Sequence, residues 1–217
     1  INTVIFCLVV VFFRVLLGLS VAYALNSKMT RFKTFFRTVF YMPTVTPLVA
    51  VAYVWMIMYN PQFGLIDKIF GLDINWLFDS RFALPAIMAM TIWKDFGYAV
   101  ILFLSGLMSL PSDCYESSQI DGATAWQTFR YITLPLLRPT MLFVVVTSII
   151  SYLQAYVPVL VMTKGGPGTS TYLSSYLVYD QAFKQYNFGY ASAISLFILL
   201  LTAVFTLISF RVTGQKQ

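Results

Sequence analysis

Five predominantly apolar runs, at about residues 3–25, 35–59, 82–106, 139–163 and 189–210, leave this chain few folds to choose from. Each is close to the ~20 residues that a helix needs to cross the hydrocarbon core of a bilayer, where every backbone N–H and C=O has to be satisfied inside the segment. Composition agrees: 59% of the residues are hydrophobic and only 10% charged, against roughly 25% charged in an ordinary soluble domain. A soluble core of a 217-residue chain has no room for so many Phe, Tyr, Val, Ile and Leu side chains. The expected fold is an all-α integral membrane bundle with about five spanning helices, and residues 1–217 are expected to form one transmembrane domain.

The net charge of +6 is distributed in a telling way. Lys28, Arg31, Lys33 and Arg37 follow the first run, Arg130 and Arg138 precede the fourth, and Arg211 and Lys216 follow the fifth. Basic residues collect on the cytoplasmic side of membrane proteins, so these ends are expected inside and the loops 60–81 and 164–188 outside. Five crossings then put the N-terminus outside and the C-terminus inside. This distribution makes the bilayer the expected partner and gives no reason to invoke nucleic acid. There is no His, and the two cysteines, Cys7 and Cys114, have no metal or disulfide spacing. His-based catalysis and His metal sites are excluded, and an enzyme has little support without a convergent acid–base cluster. Residues 1–25 lack the short hydrophobic core and small-residue cleavage site of a signal peptide, and the start at Ile1 without Met reads as a chain trimmed or incompletely covered at its N-terminus.

Two features stand out from the apolar background. The first is the polar island at 116–139, ESSQIDGATAWQTFRYITLPLLRP. Asp113 and Glu116 have the spacing of a reciprocal helix cap. A short helix is expected over 115–121, ended by Gly122 in the left-handed conformation. A second short helix over 125–131 follows, with a turn at Leu134-Pro135 and the fourth span starting at Arg138-Pro139. This elbow presents small residues (Ser117, Ser118, Ala123) beside large ones (Ile120, Trp126, Phe129). A plain amphipathic connector would show the same pattern.

The second feature is polar residues inside apolar runs, which are costly in lipid and usually face a cavity or a partner. Thr91, Asp95 and Tyr98 share one helical face, as do Ser148, Ser151, Tyr152 and Ala155, with Gln154 adjacent. Aromatic rings beside hydroxyl and carboxylate groups suit a polyol. Two other readings stand: Asp95 pairs with Lys94 or with Arg14, and the serines only permit close helix packing. Pro43 and Pro47 in the second run and Pro158 near the end of the fourth suit either an ordinary kink or a gate.

The island resembles the signature loop of ATP-binding-cassette importer permeases, through Glu116, Ile120-Asp121-Gly122-Ala123, Phe129, Ile132, Leu134-Pro135 and Pro139. Phe36-Arg37-Thr38 with Pro43, Asn60-Pro61 with Phe63-Gly64-Leu65, Asn75-Trp76-Leu77, Trp93, Leu110-Pro111, Thr163-Lys164-Gly165-Gly166-Pro167 and Gly189-Tyr190-Ala191-Ser192-Ala193 extend the likeness over nearly the whole chain. Together they resemble the first permease subunit of carbohydrate-uptake importers of the maltose and glycerol-phosphate type.

The resemblance implies a type I importer permease bundle. It implies a cytoplasmic coupling loop at about 107–138, with Glu116, Ser117, Ser118, Ile120, Asp121, Gly122, Ala123 and Phe129 at the ATPase contact. It also implies a substrate pathway near Thr91, Asp95, Tyr98, Ser148, Ser151, Tyr152 and Gln154, although some such permeases leave selectivity to the binding protein. The implied partners are a second permease in a heterodimer, two cytoplasmic ATPases and an extracytoplasmic sugar-binding protein, in a bacterial or archaeal cytoplasmic membrane. No cofactor is expected in this chain, ATP and Mg being bound by the ATPase. Gly165-Gly166-Pro167-Gly168 lacks the Gly-Lys-Ser/Thr ending of a phosphate loop and reads as an external tight turn. Two departures stand out: Ser117-Ser118 replace the usual Ala-Ala, and the family usually has a spanning helix ahead of the first one here. A stand-alone secondary transporter or channel is the alternative, but no internal repeat is visible and Asp95 is the only acid in the five runs.

Overall fold

The computed structural model describes residues 1–27, 32–71 and 73–214; Lys28, Arg31 and Lys216, used above for orientation, lie outside the described residues. Among the described residues all regular structure is helical, without a strand. The helices are α1 (Asn2–Asn26), α2 (Lys33–Val45), α3 (Leu48–Met58), α4 (Leu65–Phe70), α5 (Ala83–Met108), α6 (Ser112–Ile120), α7 (Ala125–Thr128), α8 (Leu134–Leu136), α9 (Arg138–Leu153), α10 (Val157–Met162), α11 (Ser174–Tyr179) and α12 (Phe188–Gly214).

α1 and α5 pack along their lengths, α9 lies against both, and α2 lies on α5. Apolar side chains gather in two clusters. One holds Phe6, Val10, Ile87, Met90, Tyr152 and Tyr176, and the other Ala22, Ala99, Val100, Phe103, Leu137 and Val144. Arg14 sits in α1 between them. By length and apolarity α1, α5 and Phe188–Ser209 can each cross a bilayer; two bent pairs, α2 with α3 and residues 125–136 with α9, raise the number of candidate spans to five.

Three expectations are corrected. The second run is two helices meeting at 95°. Thr46 is extended because the residue before Pro47 is barred from the helical region, and Pro47 opens α3 from outside. The fourth run also divides. α9 stops at Leu153 and α10 begins at Val157, since the Pro158 ring would collide with the Gln154 carbonyl and offers no N–H. At the elbow, the chain does not turn at Leu134-Pro135. Pro135 fits the first turn of α8, and the 64° bend falls at Leu137, where Pro139 cannot bond back to Pro135.

The elbow's capping also differs from expectation. α6 begins at Ser112 behind an extended Pro111, so Asp113 lies within the first turn and takes the Ser112 hydroxyl at 3.2 Å. Its charge favours the helix N-terminus there, but it caps nothing with Glu116. The reciprocal cap forms one helix later: the Gln127 N–H donates to Thr124 Oγ1 at 3.4 Å, and the Thr124 N–H donates to Gln127 Oε1 at 2.8 Å. Between them Gly122 takes φ +71°, the left-handed conformation expected of it. The second short helix closes at Thr128 and continues as a widened turn over Phe129–Thr133.

Candidate functional sites: a buried polar cluster and an exposed elbow

Arg14 is the middle residue of α1 and is 6% exposed. Its Nη1 donates to Ser148 Oγ at 3.0 Å and to Tyr152 Oη at 3.3 Å. Ser148 and Tyr152 are one helical turn apart on α9, which turns both hydroxyls to the same neighbour. The Tyr152 hydroxyl donates onward to Asp95 Oδ2 at 3.1 Å, and Lys94 Nζ stands 3.6 Å from Asp95 Oδ1. Lys94 also donates to the Thr44 carbonyl at 3.1 Å, while the Thr44 hydroxyl donates to the Lys94 carbonyl at 3.0 Å. The Arg14 guanidinium lies 5.6 Å from the Tyr98 ring centre and 5.7 Å from that of Tyr152, within cation–π range. Four helices, α1, α2, α5 and α9, are thereby joined by one polar cluster. Charges held this deep need such partners, because the desolvation of an ion costs more than a single weak contact returns.

Of the residues expected near a substrate pathway, Asp95, Tyr98, Ser148 and Tyr152 come together. Thr91 is buried but spends its hydroxyl on the Ile87 carbonyl of its own helix at 2.8 Å. Ser151 and Gln154 are exposed elsewhere. Gln154 lines a separate cavity of about 430 Å³ with Tyr156, Ser175, Tyr179, Ser195 and Thr202. The pairing of Asp95 with Lys94 is direct, and that with Arg14 runs through the Tyr152 hydroxyl. Arg14 and Lys94 were absent from the expected pathway residues. The signal that could have placed them there was their charge inside apolar runs.

The elbow presents Ile120 at 86% exposure and Trp126 at 66%, with Glu116, Ser117, Asp121 and Gly122 also exposed. A Cβ on Gly122 would meet nothing within 4 Å, so this tip is open for docking. Ser118 and Phe129 face the other way. Ser118 is 5% exposed and donates to the Tyr115 carbonyl at 2.8 Å, and the Tyr115 and Thr133 hydroxyls are 3.1 Å apart. The Phe129 ring meets Tyr23 of α1 edge-on at 4.7 Å. Ser118 and Phe129 therefore brace the elbow, and the other expected contact residues form its free surface or, for Ala123, its half-buried edge.

At the opposite end, Asp73, Asn75, Phe78, Asp79, Pro167 and Gly168 line an open cleft of about 750 Å³. Beside the Gly-Gly-Pro turn, Tyr172 Oη donates to Asp180 Oδ2 at 2.6 Å and Lys184 Nζ lies 2.9 Å from Asp180 Oδ1. Those partners hold the Asp180 carboxyl below its ordinary range, the tyrosine first. Burial and the facing carboxylate push the Tyr172 phenol up to about 12.

Residues 14–214 match the family described as binding-protein-dependent transport system inner membrane component. A probable ABC transporter permease protein of Pyrococcus horikoshii is 39% identical, over 88% of this chain and 68% of that one. The trehalose/maltose transport system permease protein MalF of Thermococcus litoralis is 35% identical over 97% of this chain and 72% of its own length. The lactose transport system permease protein LacF of Rhizobium radiobacter is 32% identical over 100% and 75%. A chain of a bacterial ABC transporter involved in the import of the acidic polysaccharide alginate has the same fold, with TM-score 0.90, 24% identity and coverage of 100% of this chain and 78% of that one. With its family match spanning the polar cluster and the elbow alike, the chain belongs to the family of binding-protein-dependent transport system inner membrane components.

Proposed function

We propose that this chain is the first permease subunit of an ATP-driven sugar importer, forming half of the translocation pathway and taking its motion from a separate ATPase. The observation that carries this is the mechanical continuity of two helices. α1 braces the elbow through Tyr23 and Phe129 and holds the polar cluster through Arg14. α9 leaves the elbow at Arg138 and carries Ser148 and Tyr152. Tyr23 follows Arg14 by nine positions along the helix, a rise of about 14 Å. A push on Ile120, Gly122 and their exposed neighbours travels through packed helices into the cluster.

The relatives named for lactose and for trehalose/maltose transport support a sugar as the cargo. In this reading the partners are a second, different permease, two cytoplasmic ATPases that bind ATP and Mg, and an extracytoplasmic sugar-binding protein. The cleft at Phe78 and Pro167 is the face offered to that protein. Thr91, Ser151 and Gln154 reach the solute only if the helices rearrange around Asp95, Tyr98, Ser148 and Tyr152. The chain catalyses no reaction itself and passes several times through a bacterial or archaeal cytoplasmic membrane.

The test is a pull-down in mild detergent with this subunit as bait and mass spectrometry as readout. Recovery of a second permease and an ATPase, lost on disrupting residues 116–122, is the expected result. Recovery of this chain alone, still moving solute in liposomes, would make it a self-sufficient transporter and overturn the proposal.

A further inference from the structure

The polar cluster does not balance its charge. Lys94 and Asp95 form one ion pair. Arg14, always cationic, meets only neutral hydroxyls, and no carboxylate lies within salt-bridge distance of it among the described residues. The other acidic residues, Asp67, Asp73, Asp79, Asp113, Glu116, Asp121 and Asp180, all lie outside the five apolar runs. The hydroxyls act as oriented acceptors. Tyr152 gives its proton to Asp95, and Ser148 gives its own to the Val144 carbonyl, so each turns a lone pair to Nη1. Both hydrogen bonds of the guanidinium leave from Nη1, and Nε is buried without a partner. Nε and Nη2 form the edge by which a guanidinium grips a carboxylate or phosphate with two parallel hydrogen bonds.

We propose that Arg14 is a specificity-determining residue of the pathway, and that its Nε–Nη2 edge receives the carboxylate or phosphate of an acidic saccharide. The inference rests on the sugar-importer reading and narrows it to anionic cargo. Asp95 does not oppose it, because Lys94 already matches its charge. The cluster is open at Tyr98, 37% exposed, and at the partly exposed Asp95 side chain. Nε itself is reached when α1, α5 and α9 part, the separation that alternating access demands. A neutral sugar would fill the same space and leave the guanidinium uncompensated in a water-poor site.

The test uses the complete transporter with its binding protein in proteoliposomes, carrying wild type, Arg14→Gln or Arg14→Lys. The probes are a galacturonate disaccharide, a sugar phosphate, and neutral di- and trisaccharides of matched size. Wild type is expected to take up an acidic probe in preference to the neutral ones. Arg14→Gln should cut acidic uptake by at least about 10- to 100-fold, the weight of one charge-assisted hydrogen bond, with little change for neutral probes. Arg14→Lys, which keeps charge without the fork, should fall between. Preference of wild type for neutral probes overturns the proposal, as does an equal loss for both probe classes in Arg14→Gln. Loss of the second permease from the Arg14→Gln complex also overturns it, since the anion would then be a carboxylate of that partner. Should the variants not assemble for any other reason, the wild-type preference alone decides. Absence of ATP-driven uptake of every saccharide is a different failure, that of the importer reading itself.

Discussion

Gly97 of α5 is where the bundle tolerates least. An added Cβ would stand 1.8 Å from the Phe40 carbonyl oxygen of α2, 2.7 Å from its carbon and 3.2 Å from the Tyr41 Cα, whereas ordinary contact begins at 3.4 Å. All three obstacles are backbone, so no rotamer change relieves them. In Gly97→Ala, α2 has to retreat by about 1.5 Å as a body. One turn away, the reciprocal Lys94–Thr44 hydrogen bonds, now 3.1 and 3.0 Å, would stretch to about 4.5 Å and cease to be hydrogen bonds. Overpacking costs about 1–3 kcal/mol, and two lost hydrogen bonds add about 1 kcal/mol each. The expected destabilisation is therefore about 3–5 kcal/mol. Thermal unfolding of the purified subunit in mild detergent measures it, with Gly189→Ala, where an added Cβ meets nothing within 4 Å, as the control. Gly97→Ala melting together with that control would refute the claim that α2 and α5 touch backbone to backbone.

Gly122→Pro cannot adopt φ +71°, and Glu116→Lys reverses a charge on the exposed face of α6. Both should abolish sugar uptake while leaving expression intact, and full uptake by both would remove the elbow from coupling. Tyr152→Phe takes one acceptor from Arg14 and one donor from Asp95. It should cost about 1–3 kcal/mol in the same melting assay, and an unchanged melt would mean the cluster is not held through that hydroxyl. Asp180, with its carboxyl held low by Tyr172 and Lys184, contributes stability that is present above the ordinary carboxylate value of 3.8 and lost as pH falls through the lower native value. Asp180→Asn should thus melt below wild type at neutral pH and converge with it in strong acid. A gap that persists in acid would refute the pairing.

The long helices were legible in the sequence because a bilayer leaves the backbone one economical solution, and α1, α5 and α12 run almost where apolarity marks them. The breaks were harder. Pro43, Pro47 and Pro158 all read as kinks in apolar runs, yet Pro43 stays within α2 while Pro47 and Pro158 stand at the starts of new helices. Apolar runs alone do not separate the three cases, and contacts such as the Lys94 donation to the Thr44 carbonyl beside the α2–α3 break are tertiary facts. At the elbow, Gly122 was legible because its left-handed backbone is a local property. The cap was not: Asp113–Glu116 and Thr124–Gln127 both have the spacing, and Pro111, extended just ahead of α6, decides between them by starting that helix early.

The candidate pathway was legible for the residues whose helical faces meet a polar neighbour and illegible for the rest. Helical spacing put Ser148 and Tyr152 on one face correctly, but it cannot say where that face stops. Ser151, three residues from Ser148, points out of the cluster. What fixes the boundary is Arg14, on a helix about 130 residues away in the chain. A guanidinium in the middle of a span cannot be left to lipid, so whichever hydroxyls pack opposite it become the site, and the helix bearing it has to follow them whenever they move. That same helix carries Tyr23 against Phe129. In the proposed importer, a displacement of the elbow by the ATPase would therefore reach Arg14, Tyr152 and Asp95 through one helix gripped at two depths.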